Sequence, residues 1–489
     1  MALAAGLALA SSAPSPAYAA PAAHIRATRP APGRDRAHAA AAPSRLSRAD
    51  AAFLDSLQQA TFRWFRNHQD PVTGLTDDRA PTPSFASISA VGFALTAWPI
   101  GVAHGWITRA EARERTLRTL RFFARSVQDT TPDATGYRGF YYHFLDMHTG
   151  RRFRDVELST VDTALLMGGV LFCASWFDRA DAQEREIRAT AESLYARVDW
   201  RWAQPRPPSV CHGWTPEHGF LPYDWRGYDE AMIVYVLALG SPTHGVDPAA
   251  WGEWTSTYRW GTFEGLEQLG FAPLFGHQYS QVWLDLRGVH DEFMRAHHST
   301  YFENSRRATL AQRAYAIRDS AAFRDYGASI WGLTACDGPL DSTLTLDGRA
   351  RELHSYWPRG ASFTTVRDDG TIAPAAAGGA LPFAPEVAIP ALRAMRARYG
   401  ADVYGPEGFV DAFNPTLRVP LPNHAGHVNP ALGWFDVDRL GIDQGPILAM
   451  AENLRTGLVW RTLRRNPHVV RGLKRAGFRG GWLDRVAAR

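Results

Sequence analysis

Cysteine is scarce in this chain, and its placement argues against several classes of protein. The three cysteines are too few for a disulfide framework, and none has the spacing of a zinc site. The sequence also lacks a metalloprotease H-E-x-x-H, a P-loop, a G-x-G-x-x-G fingerprint and a G-x-S-x-G elbow. These absences argue against zinc enzymes, nucleotide-binding enzymes and serine hydrolases. Cys173 lies in an apolar run and is expected to be a buried thiol, whereas pairing of Cys211 with Cys336 stays open.

Lysine is rarer still, because Lys474 is the only one and arginine carries nearly all the positive charge. Residues 1–50 hold six arginines against two aspartates, and residues 461–489 hold nine basic side chains against one aspartate. With a formal net charge of +4, this leaves residues 51–460 at −8. A nucleic-acid-binding protein concentrates basic groups around its aromatic residues. The acidic body instead predicts a neutral partner and no binding of nucleic acid.

Long apolar runs are missing as well, so no segment is predicted to span a membrane. The nine apolar residues 2–10, followed by Ala17-Tyr18-Ala19, are typical of a signal peptide and its cleavage site, although the usual basic start is missing. We therefore expect an exported protein, periplasmic or secreted. The predicted organisation is a signal peptide at 1–19, a disordered Ala/Pro/Arg-rich tether at 20–50, one large domain at 51–480 and a basic tail at 481–489.

Helical periodicity is what the sequence has in abundance. Apolar residues recur three and four positions apart in residues 52–66, 90–104, 115–126, 160–177, 184–198, 229–240, 281–296, 306–318, 385–398 and 446–461. Long loops rich in Trp, His, Asp and Gly connect these segments, and few stretches alternate as strands do. The pattern predicts an all-α fold, a closed toroid of paired helices with the site where the loops converge.

The segment Tyr223-Asp-Trp-Arg-Gly-Tyr-Asp-Glu-Ala-Met-Ile-Val-Tyr235 places carboxylates among aromatic rings at the start of an apolar helix. Aromatic faces stack on the apolar faces of sugar rings, and a carboxyl group kept neutral by apolar surroundings can donate a proton to a glycosidic oxygen. Asp229 and Glu230 are neighbours, so only one can face a cleft squarely, and the other is expected to complement the helix dipole. The segment predicts carbohydrate chemistry.

Two further junctions between a loop and a helix carry charged residues. Ser159-x-x-Asp162 is a capping box, so capping and catalysis are equal explanations for Asp162, whereas Glu157 lies before the cap. Arg306 and Arg307 stand in the first turn of a predicted helix, where acids are usual. Two explanations fit these arginines. They serve the cleft, by pairing with its carboxylates or by holding sugar hydroxyls, or they are solvated surface charges.

Six motifs follow one another along the chain. They are Gly227-Tyr228-Asp229-Glu230-Ala231-Met232, Gly240-Ser241-Pro242-Thr243-His244, Phe275-Gly276-His277-Gln278-Tyr279, Tyr301-Phe302-Glu303-Asn304-Ser305-Arg306-Arg307-Ala308, Trp331-Gly332-Leu333-Thr334-Ala335-Cys336-Asp337-Gly338-Pro339 and Gly441-Ile442-Asp443-Gln444-Gly445-Pro446. Together they resemble the glycoamylase-like catalytic domain of glycoside hydrolase family 144, over roughly residues 52–480. The resemblance implies an (α/α)6 toroid that hydrolyses β-1,2-glucan with inversion, usually at internal linkages, without metal or cofactor. We expect a monomer acting on a neutral glucan.

The resemblance also implies that Glu230, which matches the proton donor of the family, is the acid. The base is chosen on a different ground. An acidic residue well downstream of the donor is expected to face it across the cleft, so Asp411 is the first choice, and Glu157 and Asp162 are the alternatives. The predicted substrate-binding residues are Trp225, Trp331 and Phe383, which would stack on glucose rings, His277, Gln278, Arg306 and Arg307, which would hold hydroxyls, and Tyr228, Tyr279, Asp337, Glu386 and Asp443.

Three alternatives stay open. An exo-acting or transglycosylating enzyme would act on the same glucan and give other products. A polysaccharide lyase would use Tyr279 or His277 as its base, but its uronic acid substrates call for a basic cleft. A non-catalytic glycan-binding protein would need the aromatic residues without the carboxylates.

Overall fold

Helices make up most of the regular structure in the computed structural model, which describes residues 46–421 and 425–486. They are α1 (Arg48–Asn67), α2 (Ile88–Ala103), α3 (Arg109–Arg125), α4 (Thr160–Trp176), α5 (Ala182–Ala196), α6 (Met232–Gly240), α7 (Ala249–Thr255), α8 (Phe275–Trp283), α9 (Glu292–Ala296), α10 (Tyr301–Arg318), α11 (Pro374–Gly379), α12 (Pro385–Tyr399), α13 (Gly441–Arg455), α14 (Leu458–Leu463) and α15 (Pro467–Arg475). No helix in these ranges is long and apolar enough to cross a bilayer.

Side-chain caps explain where several helices begin. Thr108, Ser159, Asp181 and Thr300 each accept a hydrogen bond from the backbone N–H three residues further on. In each case that third residue is acidic, which suits the positive end of the helix dipole. Each cap contributes about 1 kcal/mol. The predicted capping box at Ser159 is therefore confirmed.

Burial separates the helices into two kinds. Helices α2, α4 and α6 are buried on nearly every side, whereas α3 and α5 bury one stripe and expose the other. Helix α2 packs against α4 and α13, α4 packs against α6, and α3 and α5 pack on each other and on the buried helices. A Cβ on Gly92 would lie 2.4 Å from the Leu165 carbonyl oxygen, so α2 and α4 approach closely only because glycine stands there.

Short antiparallel strands lie in the loops between helices. They are β1 (Arg79–Ala80), β2 (Ala86–Ser87), β3 (Gly136–Tyr137), β4 (Phe140–Tyr142), β5 (Phe144–Leu145), β6 (Leu158–Ser159), β7 (Gly213–Thr215), β8 (Gly219–Phe220), β9 (Trp260–Phe263), β10 (Leu266–Leu269), β11 (Ala335–Cys336), β12 (Ser342–Leu346), β13 (Arg349–Leu353), β14 (Trp357–Pro358), β15 (Gly360–Ser362), β16 (Thr365–Arg367), β17 (Tyr404–Gly405), β18 (Gly408–Phe409), β19 (Phe413–Asn414), β20 (His427–Asn429), β21 (Gly433–Phe435) and β22 (Arg439–Leu440). The largest sheet has the order β3-β4-β6-β7-β8.

The strands correct the prediction of an all-α fold, while its helical part is confirmed. Most strands have two or three residues, too few to show an alternating pattern in the sequence. Their pairing matters for the site. Strand β1 pairs with β22, which brings Arg79 opposite Leu440, and β4 pairs with β6, which brings Tyr142 opposite Leu158.

Three predicted segments differ from the structure. The helix predicted at 281–296 is interrupted, because α8 ends at Trp283 and α9 begins at Glu292, after the cap Asp291. The helix predicted at 446–461 breaks at Gly457, which adopts a positive φ of 66°. At the C-terminus, Trp482 and Leu483 are buried, so the predicted tail packs on the protein at least to residue 486.

The chain ends bear on the predicted organisation. The predicted signal peptide and residues 20–45 of the predicted tether lie outside the described residues, as do residues 487–489 of the predicted tail. Helix α1 begins at Arg48, so the last residues assigned to the tether are helical. From Phe53 onward the chain belongs to one compact unit. The three cysteines are free and buried, so Cys211 and Cys336 do not pair.

Candidate active site

Glu230 lies in the loop that leads into α6 and is 7% exposed. Its carbonyl accepts a hydrogen bond from the Ser280 hydroxyl at 2.8 Å, and that hydroxyl accepts one from the Ile233 N–H at 3.0 Å. The start of α6 is thus tied to α8. Burial raises the pKa of the Glu230 carboxyl to about 7, and the negative charge of Asp162 adds to the effect. A large share of Glu230 is therefore protonated at neutral pH, as a proton donor requires.

Asp229 serves the helix rather than the cleft. Its Oδ1 accepts hydrogen bonds from the Ala231 N–H at 2.9 Å and from the Trp254 indole at 3.3 Å. The expectation that only one of the two neighbouring acids acts in a cleft fits this arrangement.

Asp411 and Asp443 form a second, fully buried group of carboxyls, each 1% exposed. Asp411 Oδ2 accepts a hydrogen bond from the Asp337 N–H at 2.7 Å, and the Tyr279 hydroxyl donates to Asp443 Oδ1 at 3.4 Å. Burial and the charge of Asp443 raise the pKa of Asp411 well above its usual range, and burial raises that of Asp443 to about 7. Two interacting carboxyls of this kind titrate as a pair, so one proton is shared between them near neutral pH.

Arg79, which sequence reasoning missed, connects this pair to further acidic side chains, of which Asp337 was predicted and Asp78, Asp436 and Asp438 were not. Its Nη1 lies 2.5 Å from Asp337 Oδ2, and its Nε lies 3.2 Å from Asp78 Oδ2. Carboxylate oxygens of Asp337, Asp436 and Asp438 lie within 4.8 Å of one another, close enough to hold a metal ion. The Arg79 guanidinium, which lies against Asp337, supplies positive charge to this cluster of carboxylates. The Asp-x-Asp spacing at 436–438 was the available signal in the sequence.

His143, also missed, joins the two remaining catalytic candidates. Its Nδ1 lies 2.9 Å from Glu157 Oε1, and its Nε2 lies 3.5 Å from Asp162 Oδ2. Burial alone would lower the pKa of His143, but Asp162, Glu157 and Asp78 outweigh it and raise that pKa to about 9. Burial alone would raise the pKa of Glu157, but the nearby His143 lowers it. Glu157 is thus held ionised.

Tyr279 shows that these groups belong to one site. Burial raises the pKa of its hydroxyl well above the usual range, and the charges of Asp443, Asp411 and Glu230, among others, raise it further. The Tyr279 hydroxyl therefore lies close enough to interact both with Glu230 and with the pair formed by Asp411 and Asp443. Asp78 in turn interacts with both His143 and Asp337. We call this set the acidic site, and its members are Asp78, Arg79, His143, Glu157, Asp162, Glu230, Tyr279, Asp337, Asp411, Asp436, Asp438 and Asp443.

The predicted stacking residues Trp225, Trp331 and Phe383 are buried, and so is the predicted binding residue Tyr228. Trp331 is fully buried and Phe383 is 2% exposed, so neither ring presents a face to a ligand. Trp225 is 4% exposed, stacks on His212 at 3.7 Å and donates its indole N–H to the Thr160 hydroxyl. Tyr228 stacks on Tyr301 in the core. Residue type suggested sugar stacking, but tertiary packing uses these rings as core.

The predicted hydroxyl-binding residues have structural partners instead. His277 is buried, and its ring nitrogens contact the Phe271 carbonyl and the Asn304 amide. Gln278 is buried and donates to the Ala376 carbonyl. Burial lowers the pKa of His277 to about 4, and the pKa of Tyr279 is far above neutrality. Together with the acidic surroundings, this counts against the lyase alternative.

The arginines at the start of α10 form local ion pairs. Arg306 Nη2 lies 2.5 Å from Glu386 Oε1, and its Nη1 donates to the Phe383 carbonyl. Arg307 Nε lies 3.1 Å from Glu303, one turn earlier on the same helix. Arg306 thus pairs with a carboxylate that was itself predicted to bind substrate, and Arg307 pairs within its own helix. Neither of these ion pairs involves a residue of the acidic site.

The sequence of the chain matches a known family over a segment that carries part of the acidic site. The family model Glycoamylase, described as "Putative glucoamylase", matches residues 222–467. These residues contain Glu230, Asp411 and Asp443. The chain belongs to this family.

Three relatives carry names that describe an activity. An endo-β-1,2-glucanase from Chitinophaga pinensis, solved with sophorotriose and glucose, is 25% identical with a TM-score of 0.76, over 89% of this chain and all of that one. A β-1,2-glucanase from Parabacteroides distasonis is 26% identical with a TM-score of 0.75, over 88% of this chain and 60% of that one. An exo-β-1,2-glucooligosaccharide sophorohydrolase from the same species is 27% identical over 87% of this chain. The chain spans 58% of the length of this last relative.

Proposed function

We propose that the protein is a glycosidase that hydrolyses β-1,2-glucan with inversion of the anomeric carbon. The observation that carries the proposal is Glu230, a buried carboxyl with a pKa of about 7 in a site otherwise crowded with carboxylates. Such a carboxyl can protonate a leaving oxygen, while an ionised partner activates water. The relatives named for β-1,2-glucan activity support the choice of substrate.

In the proposed reaction Glu230 gives its proton to the glycosidic oxygen as the bond from that oxygen to C1 breaks. Asp411 accepts a proton from a water molecule whose oxygen attacks C1 from the opposite face. Asp411 can accept this proton only in its ionised form, so in the proposed reaction the proton that the pair shares near neutral pH lies on Asp443.

The helix contacts support an (α/α)6 toroid. Helices α2, α4, α6, α8, α11 and α13 are largely buried, and contacts run from α2 to α4, from α4 to α6, from α8 to α11, from α11 to α13 and from α13 back to α2. The helices α3, α5, α15, α10 and α12 pack on members of this set. We infer six inner helices, five of them paired with these outer helices and α13 with α1, whose Gln58 donates to Glu452. The acidic site lies where their loops meet.

We further propose endo action and export. The likeness to the Chitinophaga endo-β-1,2-glucanase supports the endo mode. Export rests on the predicted signal peptide alone.

The test is release of reducing ends from a panel of soluble β-1,2-, β-1,3-, β-1,4- and α-1,4-glucans. We expect release from β-1,2-glucan, with a ladder of intermediate oligosaccharides at early times. A single disaccharide product from the start would establish exo action. Release from α-1,4-glucan alone, as the family description suggests, would overturn the proposed substrate.

A further inference from the structure

His143 stands between strands β4 and β5, where the backbone fixes it on both sides. Its N–H donates to the Glu157 carbonyl at 2.9 Å, and its own carbonyl accepts from the N–H of Ile88, the first residue of α2, at 3.3 Å. The imidazole ring stacks on Phe144, with ring centroids 4.0 Å apart and an interplanar angle of 25°. Phe144 is in turn packed on Phe85. The ring therefore has little freedom to turn.

Both ring nitrogens of His143 face carboxylates, Glu157 at 2.9 Å and Asp162 at 3.5 Å. A neutral imidazole carries one N–H, so only the imidazolium can donate a hydrogen bond to Glu157 and also present an N–H and a positive charge to Asp162. The side chain is 15% exposed, which leaves it little water to compete with these partners. The pKa of about 9 agrees with a ring that is charged at neutral pH.

The charge of His143 reaches the proposed proton donor through Asp162. Asp162 adds to the rise in the pKa of Glu230, and the imidazolium lies against the same Asp162 carboxylate. Other charged groups face this pocket. They are Asp78 beside His143, Arg152 near Glu157, and His212, which also interacts with Glu157.

We propose that His143 is a positioning residue that, as a cation, holds the Glu157 and Asp162 carboxylates in place and limits the negative charge felt by Glu230. This inference rests on the proposed glucan hydrolysis. Loss of the charge should raise the pKa of the neighbouring acids, because a nearby positive charge favours their ionised forms.

The experiment compares full-length wild type with His143→Gln, which keeps a hydrogen-bonding side chain without the charge. We expect kcat/KM on β-1,2-glucan to fall by up to about 10²-fold, with kcat affected more than KM, since misplaced catalytic groups cost rate. The alkaline limb of the pH profile should move to higher pH because Glu230 stays protonated longer. The acid limb, which reports the proposed base Asp411, should stay close to that of wild type.

His68 provides a matched control. Its ring nitrogens lie 3.4 Å from Asp77 and 3.2 Å from Glu407, and these carboxylates raise its pKa to about 9 against the effect of burial, yet it contacts none of the proposed catalytic carboxylates. His68→Gln should lower the thermal midpoint to a similar degree and leave both pH limbs where they are in wild type.

Each outcome decides the inference. A wild-type alkaline limb in His143→Gln, or a loss of activity that only follows the fall in thermal stability as in His68→Gln, would overturn it. Failure of wild type to cleave β-1,2-glucan would instead overturn the proposed function. If His143→Gln does not fold, NMR titration of the wild-type ring decides. A ring still protonated above pH 8 supports the inference, and titration near the ordinary value of about 6.5 refutes it.

Discussion

At the scale of single residues, Glu230 carries the strongest expectation. Glu230→Gln keeps the size of the side chain but cannot protonate a leaving group, so kcat should fall by about 10² to 10⁴ while substrate binding survives. Initial rates on β-1,2-glucan and calorimetric binding of an oligosaccharide measure the two effects separately. Activity close to wild type would remove Glu230 from the mechanism.

The same variant should alter how stability depends on pH. The pKa of Glu230 rises from an ordinary 4.5 to about 7 on folding, so the folded state holds this proton more tightly than the unfolded state. Stability from this group is fully present below pH 4.5 and is lost as the pH rises through 7, a loss of about 3 kcal/mol. The glutamine in Glu230→Gln does not ionise, so this variant does not lose stability in that pH range. Its unfolding free energy in urea should exceed that of wild type at pH 8.5 but not at pH 4.5.

A control for this measurement is the exposed Glu386, whose pairing with Arg306 lies on the surface. Glu386→Gln should change the unfolding free energy by less than about 0.5 kcal/mol at either pH. Equal pH dependence in wild type and Glu230→Gln would mean that Glu230 ionises normally in the folded protein.

The base can be tested against its neighbours. Asp411→Asn should abolish hydrolysis without abolishing binding, because the amide cannot take a proton from water. Glu157→Gln should retain more activity if Glu157 only contacts the substrate. Full loss in Glu157→Gln with substantial activity in Asp411→Asn would move the role of base to Glu157.

Sequence reasoning succeeded at residues whose environment is determined by residues close to them in the sequence. The aromatic residues Trp225 and Tyr228 before Glu230 and the apolar helix after it indicated a buried acid, and the structure places it so. Arg79 and Asp436 belong to the same site although some 350 residues separate them, and only the pairing of β1 with β22 brings them together. The burial of Trp331 could not be predicted in this way, because it depends on packing partners that are distant in the sequence.

At the scale of elements, the contact between α2 and α4 makes a sharp prediction. The Cβ of Gly92→Ala would lie 2.4 Å from a backbone carbonyl oxygen of α4, and a backbone cannot move aside as a side chain can. We expect a loss of about 1–3 kcal/mol in unfolding free energy, measured by chemical denaturation.

Gly252 in α7 is the matched control, because a Cβ there meets nothing within 4 Å. Gly252→Ala should be neutral or stabilise by up to about 1 kcal/mol through helix propensity. Equal effects at the two glycines would show that α2 and α4 are not in close backbone contact.

Element boundaries followed the sequence where a cap or a glycine marks them. Asp181 and Thr300 carry local capping signals, whereas the break between α8 and α9 has an apolar periodicity that continues across it. The loop residues 284–291 are largely buried, so their apolar side chains imitate a helix stripe in the sequence. Periodicity alone cannot separate a buried loop from a buried helix.

At the scale of the whole molecule, the stereochemistry of the product tests fold and mechanism together. An inverting site leaves space for water between the base and the sugar, so cleavage of a β-linkage should first release the α-anomer. Proton NMR of the earliest product, recorded before mutarotation, distinguishes the two anomers. Early β-anomer would establish double displacement and overturn the proposed pairing of Glu230 with Asp411.

The three buried thiols can report local unfolding of the protein. Cys173 lies in α4, Cys211 in the loop before β7 and Cys336 in β11, so they sample three separate regions of the described structure. A thiol reagent added to the native protein can reach them only when the surrounding structure opens. The order in which the three sites become labelled, read by mass spectrometry over time in mild denaturant, would rank the local stabilities of these regions without any mutation.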